Sequence, residues 1–159
     1  MTIRAAVVRE KDGLVLNVVI LHPSAFSFGG DPIYAWASGS GELVVAAQEP
    51  DGTPRWVMPG SRYDAKTGAF FHPHLELPPS LTVGTQGMVV VQWRRHDGQP
   101  APYPQPVTVE VLGERASYTP DNDGRIVIPF LAKAPGEYEV AVIEPELGIV
   151  LSRGVIVVS

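Results

Sequence analysis

The sequence contains no cysteine, which excludes disulfide cross-links and thiolate chemistry. It also lacks a long apolar run. Residues 14–21 form an apolar stretch interrupted by Asn17, whereas a helix that crosses a bilayer takes about 20 apolar residues. The first residues have no apolar core typical of a signal peptide. We therefore expect a protein that has no membrane partner and is not exported by a signal peptide.

Clustered positive charge is also missing. The chain has 12 Lys and Arg against 17 Asp and Glu, with a formal net charge of −5, and its densest basic pair is Arg94-Arg95. Binding to a phosphate backbone needs several cations grouped on one surface. We therefore expect no nucleic-acid partner.

No apolar pattern with a period of 3.6 residues runs through the sequence, so long helices are not expected. The 16 Gly and 16 Pro instead favour short strands joined by tight turns. Val107, Val109 and Val111 alternate with polar residues, as in a half-buried strand. The predicted strands are 3–9, 13–21, 43–48, 55–58, 88–95, 106–112, 116–119, 125–131, 137–143 and 149–158.

Three prolines mark a boundary between two modules. Pro73, Pro78 and Pro79 favour extended geometry, and a short stiff spacer is expected near 78–82. We predict an all-β chain with a small N-terminal β-barrel or sheet module (1–78) and an immunoglobulin-like β-sandwich (82–159). The second prediction rests on six or seven short strands with turns every eight to twelve residues.

The second half resembles bacterial immunoglobulin-like domains of adhesins and phage virion proteins. The shared motifs are RHDG at 95–98, PVTVEV at 106–111, DGRIVIPF at 123–130 and PGEYEVAV at 135–142. In such domains Tyr138 would be a corner tyrosine, with its ring in the core and its hydroxyl bonded to nearby backbone. For function, the resemblance implies decoration, spacing or adhesion.

The first half is similar to small β-modules of proteins associated with tailed-phage tail fibres. The matching residues are LNVVI at 16–20, LVV at 43–45, Trp56, PG at 59–60, YD at 63–64, TG at 67–68, FF at 70–71 and Pro73. Together the halves resemble a virion accessory protein of a tailed bacteriophage, either a capsid decoration protein or a tail accessory. The resemblance implies a structural protein located in the virion.

Few residues have the spacing of a catalytic or metal site. His72, His74 and Glu76 alternate and are the best metal candidates, but a zinc site needs three or four ligands, and we interpret them as a solvated segment before the spacer. Residues 121–124 begin like a calcium loop, but Phe130 stands where its glutamate belongs, so an Asx turn is expected. We predict no catalytic residue, no metal and no cofactor.

Aromatic residues give the candidate interaction surface. Four lie in the irregular stretch 24–40, and the fifth lies among prolines; they are Phe26, Phe28, Tyr34, Trp36 and Tyr103. The first four either fold back over an open barrel end or contact another subunit. Tyr103 could be exposed on an extended edge segment. Trp93 is ambiguous, because a tryptophan on an early sandwich strand is usually in the core.

These observations favour a non-enzymatic structural protein that binds its own copies, as a homo-oligomer and possibly a trimer, and binds capsid or tail subunits. Small modules without disulfides gain stability by such docking. The alternatives are a host-surface or glycan-binding adhesion module, a metal-assisted enzyme that uses His72 and His74, and a cellular surface protein. With asparagine only at Asn17 and Asn122 and abundant proline in the connections, the composition also favours a thermostable protein.

Overall fold

The computed structural model describes residues 2–22 and 41–159, and over these ranges the chain is all-β. The strands are β1 (Ile3–Arg9), β2 (Val15–Leu21), β3 (Glu42–Ala46), β4 (Arg62–Asp64), β5 (Ala69–Glu76), β6 (Ser80–Leu81), β7 (Gln86–Arg95), β8 (Val107–Val111), β9 (Glu114–Tyr118), β10 (Arg125–Leu131), β11 (Gly136–Glu144) and β12 (Ile149–Val158). Within these ranges there is no apolar helix long enough to cross a membrane. The predicted fold class is confirmed.

The chain divides into two compact units. Unit 1 comprises Met1–His72 with Arg95–Asp97, and unit 2 comprises Pro73–Arg94 with Gly98–Ser159. Strands β5 and β7 therefore contribute residues to both units. The assignment of domains to 1–78 and 82–159 stays a prediction.

Unit 1 contains a three-stranded antiparallel sheet in the order β2-β1-β3. The β1–β2 turn falls where the Gly-containing sequence predicts it, and Gly13 has a φ of 74°. A Cβ on Gly13 would lie 2.1 Å from the carbonyl oxygen of Tyr63, so only glycine fits there. The core of this unit includes Val8, Val15 and Phe70, all fully buried.

The strand predicted at 55–58 is wrong. The Arg4 guanidinium donates to the carbonyl oxygens of Arg55 and Val57 at 2.6 and 2.7 Å. The Arg55 N–H donates to the carbonyl of Ala47 at 3.0 Å. The Arg4 side chain therefore satisfies backbone groups that a neighbouring strand would otherwise bind. The apolar pattern of residues 55–58 does not indicate that a side chain takes the place of a strand.

Unit 2 is an immunoglobulin-like sandwich. One sheet has the order β6-β12-β11-β8-β9, and the other ends in β10, which pairs antiparallel with β7. Strand β6 pairs in parallel with β12, while the other pairs of the first sheet are antiparallel. Both sheets contribute fully buried side chains to the core, among them Val91, Val140 and Ile156.

Two aromatic residues of the sandwich donate hydrogen bonds to backbone carbonyls. The Tyr138 hydroxyl donates to the carbonyl oxygen of Ala134 at 2.7 Å, which is the geometry of a tyrosine corner. The hydroxyl contact is as predicted, but the ring, which was expected in the core, is only half-buried, 5.4 Å from the ring of Phe130. Trp93 is buried in the core, and its indole N–H donates to the carbonyl of Gln105 at 2.9 Å.

Candidate interaction surface

The predicted aromatic surface is described only in part. Phe26, Phe28, Tyr34 and Trp36 lie outside the described residues, so their role stays a prediction. Tyr103 is half-buried, and its ring packs edge-to-face against Trp93 with the centroids 4.9 Å apart. Much of the Tyr103 ring is therefore covered by its own domain.

A different apolar surface lies on unit 2, on the side of β7 and β10 that faces away from the core. We call it the β10 outer face and define it by Met88, Val127, Pro129 and Leu131. Met88, Val127 and Leu131 are 47%, 50% and 54% exposed. Pro129 lies directly opposite Met88 in the strand register, so the four residues are neighbours. The four residues are uncharged, and the exposed Arg125, two residues before Val127 on the same face of β10, borders them.

The sequence contains a signal for this face. Residues 126–131 are apolar at every position, whereas a strand with one solvated face alternates apolar and polar residues. Ile126 faces the core at 4% exposure, and Val127, the next residue, points outward. Strand β10 is therefore apolar on both faces. Its outer face is only partly covered, since Val90, opposite Val127, is 8% exposed whereas Val127 is 50% exposed.

Pro129 limits how a partner can use this surface. Strand β10 is the edge of its sheet, and an exposed edge normally offers backbone groups to another strand. Proline is tolerated at such an edge because its missing N–H faces solvent, where no bond of the sheet is lost. The absence of this donor also prevents regular strand addition there. A partner would therefore contact the side chains of the β10 outer face rather than its backbone.

The histidine predicted to lie in a solvated segment is buried, so that interpretation is wrong. His72 lies in β5, is 2% exposed, and its Nδ1 is 2.9 Å from the Oγ of Ser61. The ring of Trp56 stands perpendicular to the imidazole at 4.2 Å. Ser61 is also fully buried, so this serine–histidine pair has no access to a substrate and holds the fold.

The other two residues of the candidate metal set have separate surroundings. Burial, and then the charge of Arg94, lowers the pKa of His74. Glu76 accepts a hydrogen bond from Arg94 at 2.9 Å. Among residues 2–22 and 41–159 there is no group of three or more side chains able to hold a metal ion.

The Asx turn expected at 121–124 is confirmed. The Asp121 carboxylate accepts hydrogen bonds from the backbone N–H groups of Asp123 and Arg125 at 2.8 and 3.0 Å. The same carboxylate oxygen serves both donors, so this side chain closes the turn that precedes β10.

His96 is held on both of its ring nitrogens. Its Nδ1 accepts the backbone N–H of Phe70 at 3.2 Å, and its Nε2 lies 3.5 Å from Glu49. Burial, followed by the charges of Arg55 and Arg95, lowers the pKa of His96. The neutral ring, with its proton on Nε2, is therefore the form that the fold stabilises.

No protein-family model matches the chain, and no curated protein matches it. Two solved structures of the CARDB domain of the PF1109 protein from Pyrococcus furiosus are similar. Its crystal structure in complex with di-metal ions is 15% identical and covers 57% of this chain and 89% of its own, with a TM-score of 0.37. Its solution NMR structure is 16% identical and covers 55% and 93%, with a TM-score of 0.38. Likeness of this degree gives no guide to function.

Proposed function

We propose that the protein is a non-enzymatic structural component of a phage particle, which attaches to capsid or tail subunits and decorates or stabilises them. The motifs at 95–142 and 16–73, which resemble virion modules, support this proposal. The structural observation that carries it is the β10 outer face, an uncharged apolar surface on a sheet whose other side is already packed. A contiguous exposed apolar patch is often an interaction site in monomeric proteins.

The size of the β10 outer face favours attachment at many equivalent sites. Complete burial of a valine, leucine or methionine side chain contributes about 1.5–3 kcal/mol. Met88, Val127 and Leu131 are each about half exposed, so covering all three would contribute about 3 kcal/mol. A dissociation constant of 1 mM already needs about 4 kcal/mol. One such contact is therefore weak, and stable attachment needs copies of the protein that are linked to one another, so that several contacts form together on a symmetric particle.

The same proposal covers partners and location. The partners are copies of this chain and other virion proteins, such as the major capsid protein or tail subunits, without nucleic acid or membrane. Assembly takes place in the host cytoplasm, and the protein leaves with the particle. Neither a metal nor a cofactor takes part.

Binding to host-surface glycans is a second candidate, favoured by one observation. Trp56 is 47% exposed, and an exposed indole is a platform on which sugar rings stack. A glycan array that gives a hit for the unmodified chain and none for Trp56→Ala would support this candidate. An array without any hit would contradict it.

The virion proposal is tested by co-sedimentation of the full chain with heads and tails purified separately. Val127→Asp, on the β10 outer face, should weaken binding at least about tenfold because it places a charge in an apolar contact. Val155→Asp is the matched control, since Val155 is a 42% exposed strand valine on the other sheet. Equal binding by both variants, or no binding of the unmodified chain to either particle, would contradict the proposal.

A further inference from the structure

Strand β9 is an open edge of the five-stranded sheet. It pairs with β8 on one side, and among the described residues no strand pairs with its other side. Its first four residues are exposed, and only Tyr118 is half-buried. It contains no proline, and its register with β8 has no bulge, so it lacks two features that commonly prevent another strand from pairing at an edge.

The β8–β9 turn determines which backbone groups of β9 face outward. Leu112 and Gly113 form a two-residue turn in which both φ angles are positive, 53° and 80°. In such a hairpin the residues that close the turn, Val111 and Glu114, exchange both of their hydrogen bonds. Alternation along the strand then directs the N–H and C=O groups of Arg115 and Ser117 away from β8.

The other edges of unit 2 are less suited to strand addition. Strand β10 carries Pro129 near its middle. Strand β6 has two residues, and Pro78 and Pro79 directly precede it. Strand β9 is therefore the edge of this sandwich that is best suited to pair with another strand, because its outward-facing backbone N–H and C=O groups are not interrupted by proline.

We propose that β9 pairs antiparallel with β9 of a second copy of this chain, with Ala116 on the two-fold axis. This inference rests on the part of the proposed function in which the protein assembles with its own copies. In this register Arg115 of each copy faces Ser117 of the other. These are the residues whose backbone groups point outward, so they form two narrow pairs of two hydrogen bonds each. The two sheets join into one continuous sheet.

The side chains favour this register and this occupant. Glu114 faces Tyr118 and Ala116 faces Ala116, so no like charges stand directly opposite each other. Arg115 is already paired with Glu110 of its own chain at 2.6 Å. Moving the two-fold axis by one residue to Arg115 would oppose two arginines. With Ala116 on the axis, the edge therefore complements a second copy of itself without placing like charges opposite each other.

The pairing predicts a two-fold dimer, which differs from the trimer expected from the sequence. Pairing of identical antiparallel edges is isologous and closes after two copies, because each copy uses its β9 edge once. Molar mass in solution distinguishes the two assemblies.

The test measures the molar mass of the full chain by sedimentation equilibrium at increasing concentrations. Ser117→Pro removes one outward N–H without removing a bond to β8, and we expect it to weaken the dimer at least about tenfold. Ser117→Ala is the matched control, because it keeps the N–H and should dimerise like the unmodified chain. Circular dichroism confirms that both variants are folded.

Charged residues at Ala116, which lies on the two-fold axis, give a second test that does not depend on introducing a proline. Ala116→Lys and Ala116→Glu should each be monomeric alone, because like charges would face each other. An equimolar mixture of the two should form the dimer again. A monomeric or trimeric unmodified chain, an unaffected Ser117→Pro variant, or a mixture that stays monomeric would overturn the inference. Particle binding is scored separately: a monomer that binds heads or tails overturns only the β9 pairing, and a dimer that binds neither contradicts only the virion role.

Discussion

Replacing Leu112 by asparagine should relieve an unfavourable backbone conformation. It is the non-glycine residue with a positive φ among those described, at 53°, and it occupies the first position of the β8–β9 turn. A left-handed conformation costs an ordinary L-residue about 1–2 kcal/mol, because Cβ approaches the following carbonyl oxygen. Asparagine adopts this conformation readily and is preferred at this position of a two-residue hairpin.

The side chain of Leu112 contributes a smaller term of opposite sign. It is 65% exposed, so about a third of its surface is buried. At about 2 kcal/mol for a fully buried leucine, its removal costs about 0.7 kcal/mol. Leu112→Ala loses this contact and keeps Cβ, so it should be destabilised by about 0.7 kcal/mol. Leu112→Asn loses the contact and relieves the backbone, so it should be about 1 kcal/mol more stable than Leu112→Ala.

Urea unfolding followed by circular dichroism measures the difference between the two variants directly. For a chain of this length, a difference of about 1 kcal/mol corresponds to about 2–4 °C in melting temperature. Both measurements use low micromolar protein, so that self-association contributes little. An Asn variant no more stable than the Ala variant would refute the reasoning, because the turn would then impose no penalty on a side chain.

Two further predictions concern ionisable side chains of unit 1. The Asp12 carboxylate accepts hydrogen bonds from Arg9, and these are the largest cause that lowers its pKa from 3.8 to about 2. Because the Asp12 side chain is 31% exposed, solvent weakens this effect. We therefore expect Asp12→Asn to lower the free energy of unfolding in urea by about 1 kcal/mol at pH 7, and by little at pH 2. The stabilisation is lost as pH falls from about 4 to about 2, and an equal cost at pH 7 and pH 2 would count against this account. His96 also has a lowered pKa, so the unfolded chain binds its proton first, and the free energy of unfolding should fall as pH drops below about 6.5. In His96→Asn, whose oxygen can accept the same Phe70 N–H, that decline between pH 7 and 5 should be smaller; an unchanged pH profile would argue against a role for His96.

Strands with strict patterns could be predicted from the sequence, and the surroundings of polar side chains could not. Residues 3–9, 125–131 and 149–158 were predicted with the observed bounds, because turn residues flank β-rich runs at each. The segment 55–58 has a similar apolar character, but Arg4, 51 residues earlier, binds its carbonyls. A contact so distant in sequence leaves no local pattern.

The candidate surfaces also differ in whether the sequence predicts them. The β10 outer face could have been predicted, because a continuous apolar run at 126–131 is typical of a strand covered on both sides. The burial of His72 beside Ser61 could not, since alternate polar residues on an extended chain also fit a solvated segment. The open edge of β9 depends on strand order, which propensity and turn patterns leave undetermined.

The two proposed surfaces of unit 2 use different chemistry, so their contributions are separable. The β10 outer face acts through side chains, because Pro129 interrupts the backbone donors of that edge. The β9 edge acts through backbone groups, and its exposed side chains are small or polar over Arg115, Ala116 and Ser117. They belong to different sheets, so one copy can use both surfaces at once. Val127→Asp should therefore weaken particle binding while the protein remains dimeric, and Ser117→Pro should weaken the dimer while each monomer keeps its weak contact with the particle. Dimerisation doubles the number of such contacts per assembly, so loss of the β9 pairing should weaken particle binding most at low protein concentration.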